Sequence, residues 1–445
     1  MIKDMTKGSI SKHLITFSIP LILGNLFQLT YNAVDSIIVG RFAGTQALAA
    51  VGTSNPVMNI VILGVTGVCI GASVLMSEFF GAGKQKELKK EAATLLLFGV
   101  IFSSVIVLLG LLLTPAILRA LDVPGEVLPD AILYLRIIFL GMPFTYLYNA
   151  MSSALRSVGD SKTPIRFLAT ASVLNACLDV VFVAFAHLGV LGAALATVIA
   201  EAFSGIMCLW YIWKRAPMLH LSAKELRIDR ELLRKTLKQG SITALQQSCQ
   251  PIGKLLIQGM INPLGVSAMA AFNAVSRVDD FAFTPEQSIS HGMMTFVAQN
   301  RGAKNKERVK KGLSTGLLVE FGYWVIICVV ILLLREPIMH LFVSAENSQE
   351  LVPLGVEYLG WMAFFYLWPA FTNGIQGFFR GMDNMTITLI STIIQISVRV
   401  IGVYFLVGQL GILSAAWASV LGWTCMLLAE VPYYFYYKKH QEILQ

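Results

Sequence analysis

The sequence predicts an all-α membrane protein with twelve transmembrane helices, arranged as two pseudo-symmetric six-helix bundles around a central cavity. Three observations lead there. The composition is too apolar for a soluble globule, twelve apolar segments are long enough to span a bilayer, and the second half repeats the first.

Only 13% of the 445 residues are charged, and 56% belong to the hydrophobic set, whereas a soluble domain carries roughly 25% charged residues. Too few polar side chains remain to clothe a water-exposed surface. A soluble enzyme, a disordered chain and a disulfide-rich secreted domain are excluded on that ground. Cys69, Cys177, Cys208, Cys249, Cys328 and Cys425 all lie in apolar runs with no CxxC pair, so neither a disulfide framework nor a zinc site is expected. The N-terminus runs through Ser18 into a long hydrophobic stretch without a small-residue cleavage site. It reads as the first span rather than a signal peptide.

About 20 apolar residues cross a bilayer core. Segments of that kind are 14–39, 46–78, 91–113, 131–152, 163–186 and 189–213, then 237–262, 267–298, 313–334, 351–375, 385–408 and 411–437. The net charge of +8 first suggests a nucleic-acid partner, but its distribution argues otherwise. Of 34 basic residues, 27 fall in the even-numbered gaps and at the two ends. The opposite side holds Arg41, Arg119 and Arg335, while Arg136, Lys254, Arg277 and Arg399 lie inside helices. This asymmetry predicts both termini on the cytoplasmic side of a cell (inner) membrane. Tyr211, Trp213 and the cluster from Tyr433 to Tyr437 fit interfacial belts at cytoplasmic helix ends.

The repeat is visible residue by residue. Ala47-Leu-Ala-Ala50 matches Ala268-Met-Ala-Ala271, Gly81-Ala82 matches Gly302-Ala303, and Lys89-Lys90 matches Lys310-Lys311. Arg156-Ser-Val-Gly-Asp160 resembles Arg380-Gly-Met-Asp383, and Gly189 with Ala193-Ala194 matches Gly411 with Ala415-Ala416. Six spans per half keep both halves in one orientation, a parallel repeat. The expected organisation is an N-lobe over 1–213, a polar, basic cytoplasmic linker over 214–236 and a C-lobe over 237–445.

The chain has no GxxxxGK[ST] phosphate loop and no GxGxxG fingerprint, and no HExxH, GxSxG or His/Cys cluster. No enzyme chemistry and no cofactor are expected, and nothing here hydrolyses a nucleotide. Two matched lobes suit alternating access around a cavity between them.

A carboxylate at the centre of a membrane helix costs about 2.5–3.5 kcal/mol on insertion scales, so each one needs a partner or a task. On helix 1, Gln28, Tyr31 and Asn32 precede Asp35 on one helical face. Asn175 and Asp179 are an i,i+4 pair on helix 5, and Ala193, Thr197 and Glu201 form an i,i+4,i+8 series on helix 6. Asp35, Asp179 and Thr197 share a depth of about 7–12 Å below the outer surface, at ~1.5 Å per residue, so they are expected to converge. Two carboxyls with neutral oxygens suit Na+, or a carboxyl carries a proton across. The plainer alternative is that Asn175, Asp179 and Thr197 only pin helices together. In the C-lobe, Lys254, Arg277 and Arg399 nearly balance Asp279, Asp280, Glu286 and Glu357. Mutual ion pairing is the favoured reading, and binding of an anionic or zwitterionic substrate group is the alternative. Gly67-xxx-Gly71 and Gly312-xxx-Gly316 read as close-packing motifs, and His291 as a core histidine.

Tyr31-Asn-Ala-Val-Asp35 with Val39-Gly40, Gly81-Ala-Gly83, Arg156-Ser-Val-Gly-Asp160 and Gln299-Asn-Arg-Gly-Ala303 resemble the MATE (multidrug and toxic compound extrusion) family over essentially the whole chain. The resemblance implies two bundles forming a V-shaped cavity. It also implies export of amphipathic, often cationic compounds in exchange for inward H+ or Na+. The chain is similar to the DinF-type branch, in which an N-lobe polar cluster is the proposed cation site. The matching positions are Asp35, Asn175, Asp179 and Thr197, with Ala193 offering a carbonyl and Gln28 nearby. Pro20 matches a proline thought to let helix 1 bend, although a static kink is an equal reading. The helix-7 acid of the sodium-coupled branch falls near Gln250, which is neutral, so C-lobe Na+ binding of that style is not expected. A lipid-linked saccharide flippase of the same superfamily is the nearest rival, although fourteen helices are usual there. A channel or receptor is a second rival, without a visible pore-loop filter. The expected partners are small amphipathic substrates and the lipid bilayer, with no nucleic acid, and the chain is expected to be a monomer.

Overall fold

The computed structural model describes residues 2–341 and 348–440, without the side chains of Asn32 and of residues 348–350. Every regular element among them is helical. The long helices are α1 Ile10–Phe42, α2 Gly44–Gly81, α3 Gln85–Ala120, α4 Leu128–Ser157, α5 Lys162–Asp179 and α6 Gly189–Arg215. They continue with α7 Arg230–Ile261, α8 Val266–Gly302, α9 Lys306–Leu341, α10 Ser348–Phe365, α11 Leu367–Gly381, α12 Met385–Leu410 and α13 Leu413–His440. Val180–Phe185 prolongs α5 as a π-helical turn.

Nine of the described helices are long and apolar enough to cross a membrane, and α10 with α11 make a tenth candidate. This is an all-α, multi-pass membrane protein. The remaining two long helices, α7 and α8, fall short by composition. The first carries Gln239, Gln246, Gln247, Gln250 and Gln258, and the second carries Arg277, Asp279, Asp280 and Glu286. The segment expected as one uninterrupted span over 351–375 is bent by 42° between Phe365 and Leu367. Pro369 supplies the reason: it stands in the first turn of α11 and has no N–H to continue the ladder from α10.

The turns repeat as the sequence does. Left-handed backbone occurs at Gly44 and Gly265, Gly83 and Lys304, Gly159 and Asp383, and Gly189 and Gly411. In the Arg156–Asp160 motif, Asp160 Oδ1 accepts the Thr163 N–H at 3.1 Å and Oδ2 accepts the Thr163 hydroxyl at 2.8 Å, closing the first turn of α5. Asp229 does the same for α7, its Oδ1 accepting the N–H groups of Glu231 at 3.0 Å and Leu232 at 3.1 Å.

The chain divides into two compact units. The first comprises Met1–Asp4 and Pro20–Ser241, the second Met5–Ile19 and Ile242–Gln445. Helix α1 therefore changes unit at Pro20, and α7 changes after Ser241.

In the first unit, α4 packs on α2, α3 and α6, and α5 on α6. Gly99 and Gly110 of α3 leave room for the rings of Tyr146 and Phe139 on α4, where a Cβ would overlap them. The Tyr146 hydroxyl donates to the Leu95 carbonyl at 2.9 Å. The start of α7 docks here. A Cβ at Gly71 would lie 2.8 Å from the Thr236 carbonyl oxygen, and one at Gly240 would lie 2.8 Å from Val68 Cα. The Thr236 hydroxyl donates to Glu91 at 2.6 Å. Gly312 and Gly316, in the second unit, face Phe296 and Met293 of α8 in the same manner. Both glycine motifs are thus packing devices.

The second unit joins α8 with α9 and α11, α9 with α10, and α12 with α13, around Phe272, Tyr358, Met362, Tyr366 and Trp423. A polar layer runs through it. Gln246 Nε2 donates to Gln376 Oε1 at 2.9 Å and Thr392 Oγ1 at 3.1 Å, and Gln246 Oε1 accepts from Arg380 at 3.2 Å. The Ser391 hydroxyl donates to Glu430 at 2.7 Å. The Gln299–Ala303 motif holds the early chain: the Met5 N–H donates to Gln299 at 3.0 Å. Asn300 and Arg308 donate to the Met5 carbonyl at 3.2 and 2.8 Å, and Arg308 also to that of Gly8 at 2.7 Å.

Gly240→Ala forces its Cβ onto the α2 backbone and is expected to cost about 1–3 kcal/mol, read as a lower thermal midpoint in detergent. Gly64→Ala meets open space and is expected to leave that midpoint unchanged or raised. In the loop before α7, the Ser222 N–H and hydroxyl, followed by the Lys89 ammonium, hold the exposed Glu225 carboxyl down at about 2. Its contribution to stability is therefore complete above the ordinary glutamate range and is lost as pH falls through about 2. Midpoints of wild type and Glu225→Gln, apart at neutral pH, should converge below that.

Candidate cation-coupling site

The first unit brings Asp35 of α1 and Asp179 of α5 within hydrogen-bonding reach of each other. Asp179 and Asn175 are 0% and 1% exposed. Both oxygens of Asp179, both polar atoms of the Asn175 amide and Oδ1 of Asp35 are buried without a donor or acceptor. Two acceptors that face each other make no bond unless a proton or a cation lies between them. Two ionised carboxylates about 4 Å apart would repel by about 4 kcal/mol at an effective dielectric of 20.

Local structure explains how the pair is presented. Asp179 is the last residue of regular α5, and the π-helical turn begins at the next residue. There the Ala186 N–H bonds to the Val181 carbonyl at 2.8 Å and the Leu188 N–H to that of Phe182 at 2.9 Å. Such wide turns concentrate at functional sites in helices. The chain then reverses through His187 and Gly189, both with positive φ, and α6 packs back along α5.

The other expected residues occupy a graded set of positions. The Thr197 hydroxyl donates to the Ala193 carbonyl at 3.0 Å, which leaves Thr197 lone pairs for a ligand. Glu201 accepts a hydrogen bond from Thr145 of α4. Tyr31 on α1 and Tyr134 on α4 interact electrostatically with Asp35, Asp179 and Glu201, so five groups share one neighbourhood. Gln28 is exposed, Pro20 stands inside α1, and the Asn32 side chain lies outside the described residues. Tyr134 and Thr145 escaped sequence reasoning. The only trace of Thr145 there is a lone hydroxyl in an apolar run, and no spacing ties helix 4 to helices 1 and 5.

An apolar cavity of about 570 Å³ lies between α1 and α5, lined among others by Phe27, Tyr31, Val34, Ala176 and Cys177. Tyr31 belongs both to this wall and to the carboxyl neighbourhood. Among the described residues no lysine or arginine forms an ion pair with Asp35, Asp179 or Glu201, and no three metal-ligating side chains converge.

The C-lobe charges mostly find partners of their own. Lys254 pairs with Asp280 at 3.7 Å. Buried Asp279 accepts the Tyr366 hydroxyl at 2.6 Å and is acted on by Arg399 and Lys254. Glu286 accepts from Asn373 at 3.3 Å, while Arg277 and Glu357 are exposed. Gln250 donates to Gln395 at 3.2 Å, a neutral pair.

A multi-pass helical bundle with carboxyls buried beside an apolar cavity has the form of a membrane transporter. The MatE family profile matches residues 20–181 and 243–405, one match in each half. "Probable multidrug resistance protein YpnP" of Bacillus subtilis is 29% identical over 395 residues, 88% of this chain and 87% of the relative. "Probable multidrug resistance protein YoeA" of the same organism is 29% identical over 350 residues, 77% and 76% of the two chains. A crystal structure of MATE in complex with MaL6 superposes with a TM-score of 0.90 at 22% identity, covering 96% of each chain. The chain belongs to the MATE family: it is a secondary active exporter and not an enzyme.

Thr145→Val removes a donor from Glu201 and is expected to cost about 1–3 kcal/mol, whereas Thr145→Ser keeps the hydroxyl. Thermal midpoints in detergent should fall for the first variant and hold for the second.

Proposed function

We propose that this exporter extrudes amphipathic, often cationic drugs or toxic compounds in exchange for H+ or Na+ entering from outside, with Asp35 and Asp179 as the coupling pair. The observation that carries the reading is the carboxyl pair that meets no fixed donor. Asn175 and Thr197, with the Ala193 carbonyl, complete an oxygen set for the entering cation, and Glu201 stands at its margin. We assign the chain to the DinF-type branch on the match of these positions. The names of its relatives support multidrug cargo. Twelve spans in two six-helix bundles, N-lobe 1–213, linker 214–236 and C-lobe 237–445, complete the proposal. So do cytoplasmic termini, an inner-membrane location and a monomeric state. The duplicated turns and the two half-chain profile matches support the two-bundle part.

The mechanism follows from charge. A proton or Na+ between Asp35 and Asp179 removes their repulsion and lets α1 lie against α5. When the cation leaves, the repulsion returns and α1 moves relative to α5, with Pro20 absorbing the change because it lacks one helical hydrogen bond. The apolar cavity between these helices, with Tyr31 in its wall, is then reshaped. An amphipathic cation suits the empty state, in which apolar walls take its body and the exposed charge takes its head. Entry of the coupling cation discharges it.

Asp35→Asn is expected to lower coupled efflux at least tenfold with expression and folding intact. The test is efflux from proteoliposomes under an imposed pH or Na+ gradient, one at a time. Efflux at the wild-type rate in this variant removes the assignment.

A further inference from the structure

A second pair of carboxyls in the other unit has no role in the mechanism above. Glu286 of α8 and Glu320 of α9 are both 0% exposed. Glu286 Oε1 and both oxygens of Glu320 meet no donor. Consecutive residues of α11 lie beside the two side chains. Asn373 Nδ2 donates to Glu286 Oε2 at 3.3 Å, and a Cβ at Gly374 would lie 3.5 Å from Glu320 Cγ.

Among the described residues, no countercharge acts on either carboxyl. Glu286 acts on Glu320, Asp279 acts on Glu286, and Tyr323 and Tyr366 are the tyrosines that feel them. No lysine or arginine is among these groups. The two hydroxyls are spent elsewhere: Tyr323 donates to the Ala282 carbonyl at 2.8 Å and Tyr366 to Asp279 at 2.6 Å. Lys254 and Arg399 act on Asp279 instead. A Glu320 carboxylate without any donor, beside a Glu286 carboxylate with a single amide donor and no cation, is not sustainable in such a place. A metal ion fits poorly, because Asn373 turns its N–H toward Glu286 and no three metal-ligating side chains converge among the described residues. A proton needs only one lone pair on each carboxyl.

We infer that Glu286 and Glu320 form a second proton-binding site, separate from Asp35 and Asp179, which takes up and releases protons as the exporter cycles. The inference rests on the proton-coupled form of the reading above. Each carboxylate gains one proton to become a neutral acid, and returns it when the packing of α8, α9 and α11 opens to water.

Infrared pH-difference spectroscopy of the purified full chain tests occupancy without any substrate. Wild type should show carboxylic-acid carbonyl absorption that disappears as pH is raised. The Glu286→Gln/Glu320→Gln double variant should lack part of it, and Asp35→Asn/Asp179→Asn should lack a different part. Glu320→Asp should restore some of the lost band, which keeps the test meaningful if the double variant folds poorly. The second readout is the pH gradient that just balances a fixed gradient of ethidium in proteoliposomes. The double variant should need a steeper pH gradient than wild type, because fewer protons move per substrate. Spectra identical to wild type, or an unchanged balancing gradient, overturn this site while leaving Asp35 and Asp179 untouched. A wild type driven by Na+ alone, with no proton movement, overturns this site together with the proton-coupled form of the reading it rests on, and leaves Asp35 and Asp179 as a Na+ pair.

Discussion

Inside a bilayer, a polar group without a protein partner has no water to fall back on. That constraint organises the whole molecule. Gln246 bridges Gln376 and Thr392, Glu430 takes the Ser391 hydroxyl, and Glu91 takes the Thr236 hydroxyl. In each case a side chain that hydrocarbon would reject becomes a fastening between helices. Against this background the unsatisfied groups stand out. Among the described residues, Asp179 and Glu320 have both carboxyl oxygens buried without a donor, and Asn175 has both amide atoms without a partner.

Much of this was legible in the sequence because it depends on short-range periodicity. Asp35, Asn175 and Asp179 are readable as a group since i,i+4 spacing and depth in a span are linear properties. Tyr134 and Thr145 are not, because their relation to Asp35 and Glu201 runs between helices. The Gln299–Ala303 motif shows the same limit. Its residue types are plain, but its main task is to grip the backbone of Met5, 294 residues away. The π-helical turn after Asp179 was invisible, since Val-Val-Phe-Val-Ala-Phe has no feature that separates a wide turn from a regular one. The bend between α10 and α11 had a signal in Pro369, outweighed by the unbroken apolar run around it. Polar α7 and α8 show the opposite effect: segments 237–262 and 267–298, expected as spans by apolar length, are too hydrophilic to pass as membrane-crossing by composition.

The repeat survives best where backbone geometry is least forgiving. Gly44 and Gly265, and Gly189 and Gly411, keep glycine in both halves at positive φ, where a Cβ is costly. At the other two turns one half has changed, to Lys304 and to Asp383. Lysine there carries steric strain, and aspartate less. Side chains diverged more freely: the first unit holds a carboxyl pair between α1 and α5, the second between α8 and α9.

The division of α1 and α7 between the two units bears on how the chain is made. Residues Met5–Ile19 belong with helices that the ribosome reaches hundreds of residues later, and the Met5 backbone is held by Gln299 and Arg308. The early segment must therefore wait in an unfinished state while the whole first unit is inserted and packed. The start of α7 works in reverse, seating Thr236 and Gly240 on helices already in place. Residues Met5–Ile19 are thus locked only once α8 and α9, made far later, are in place.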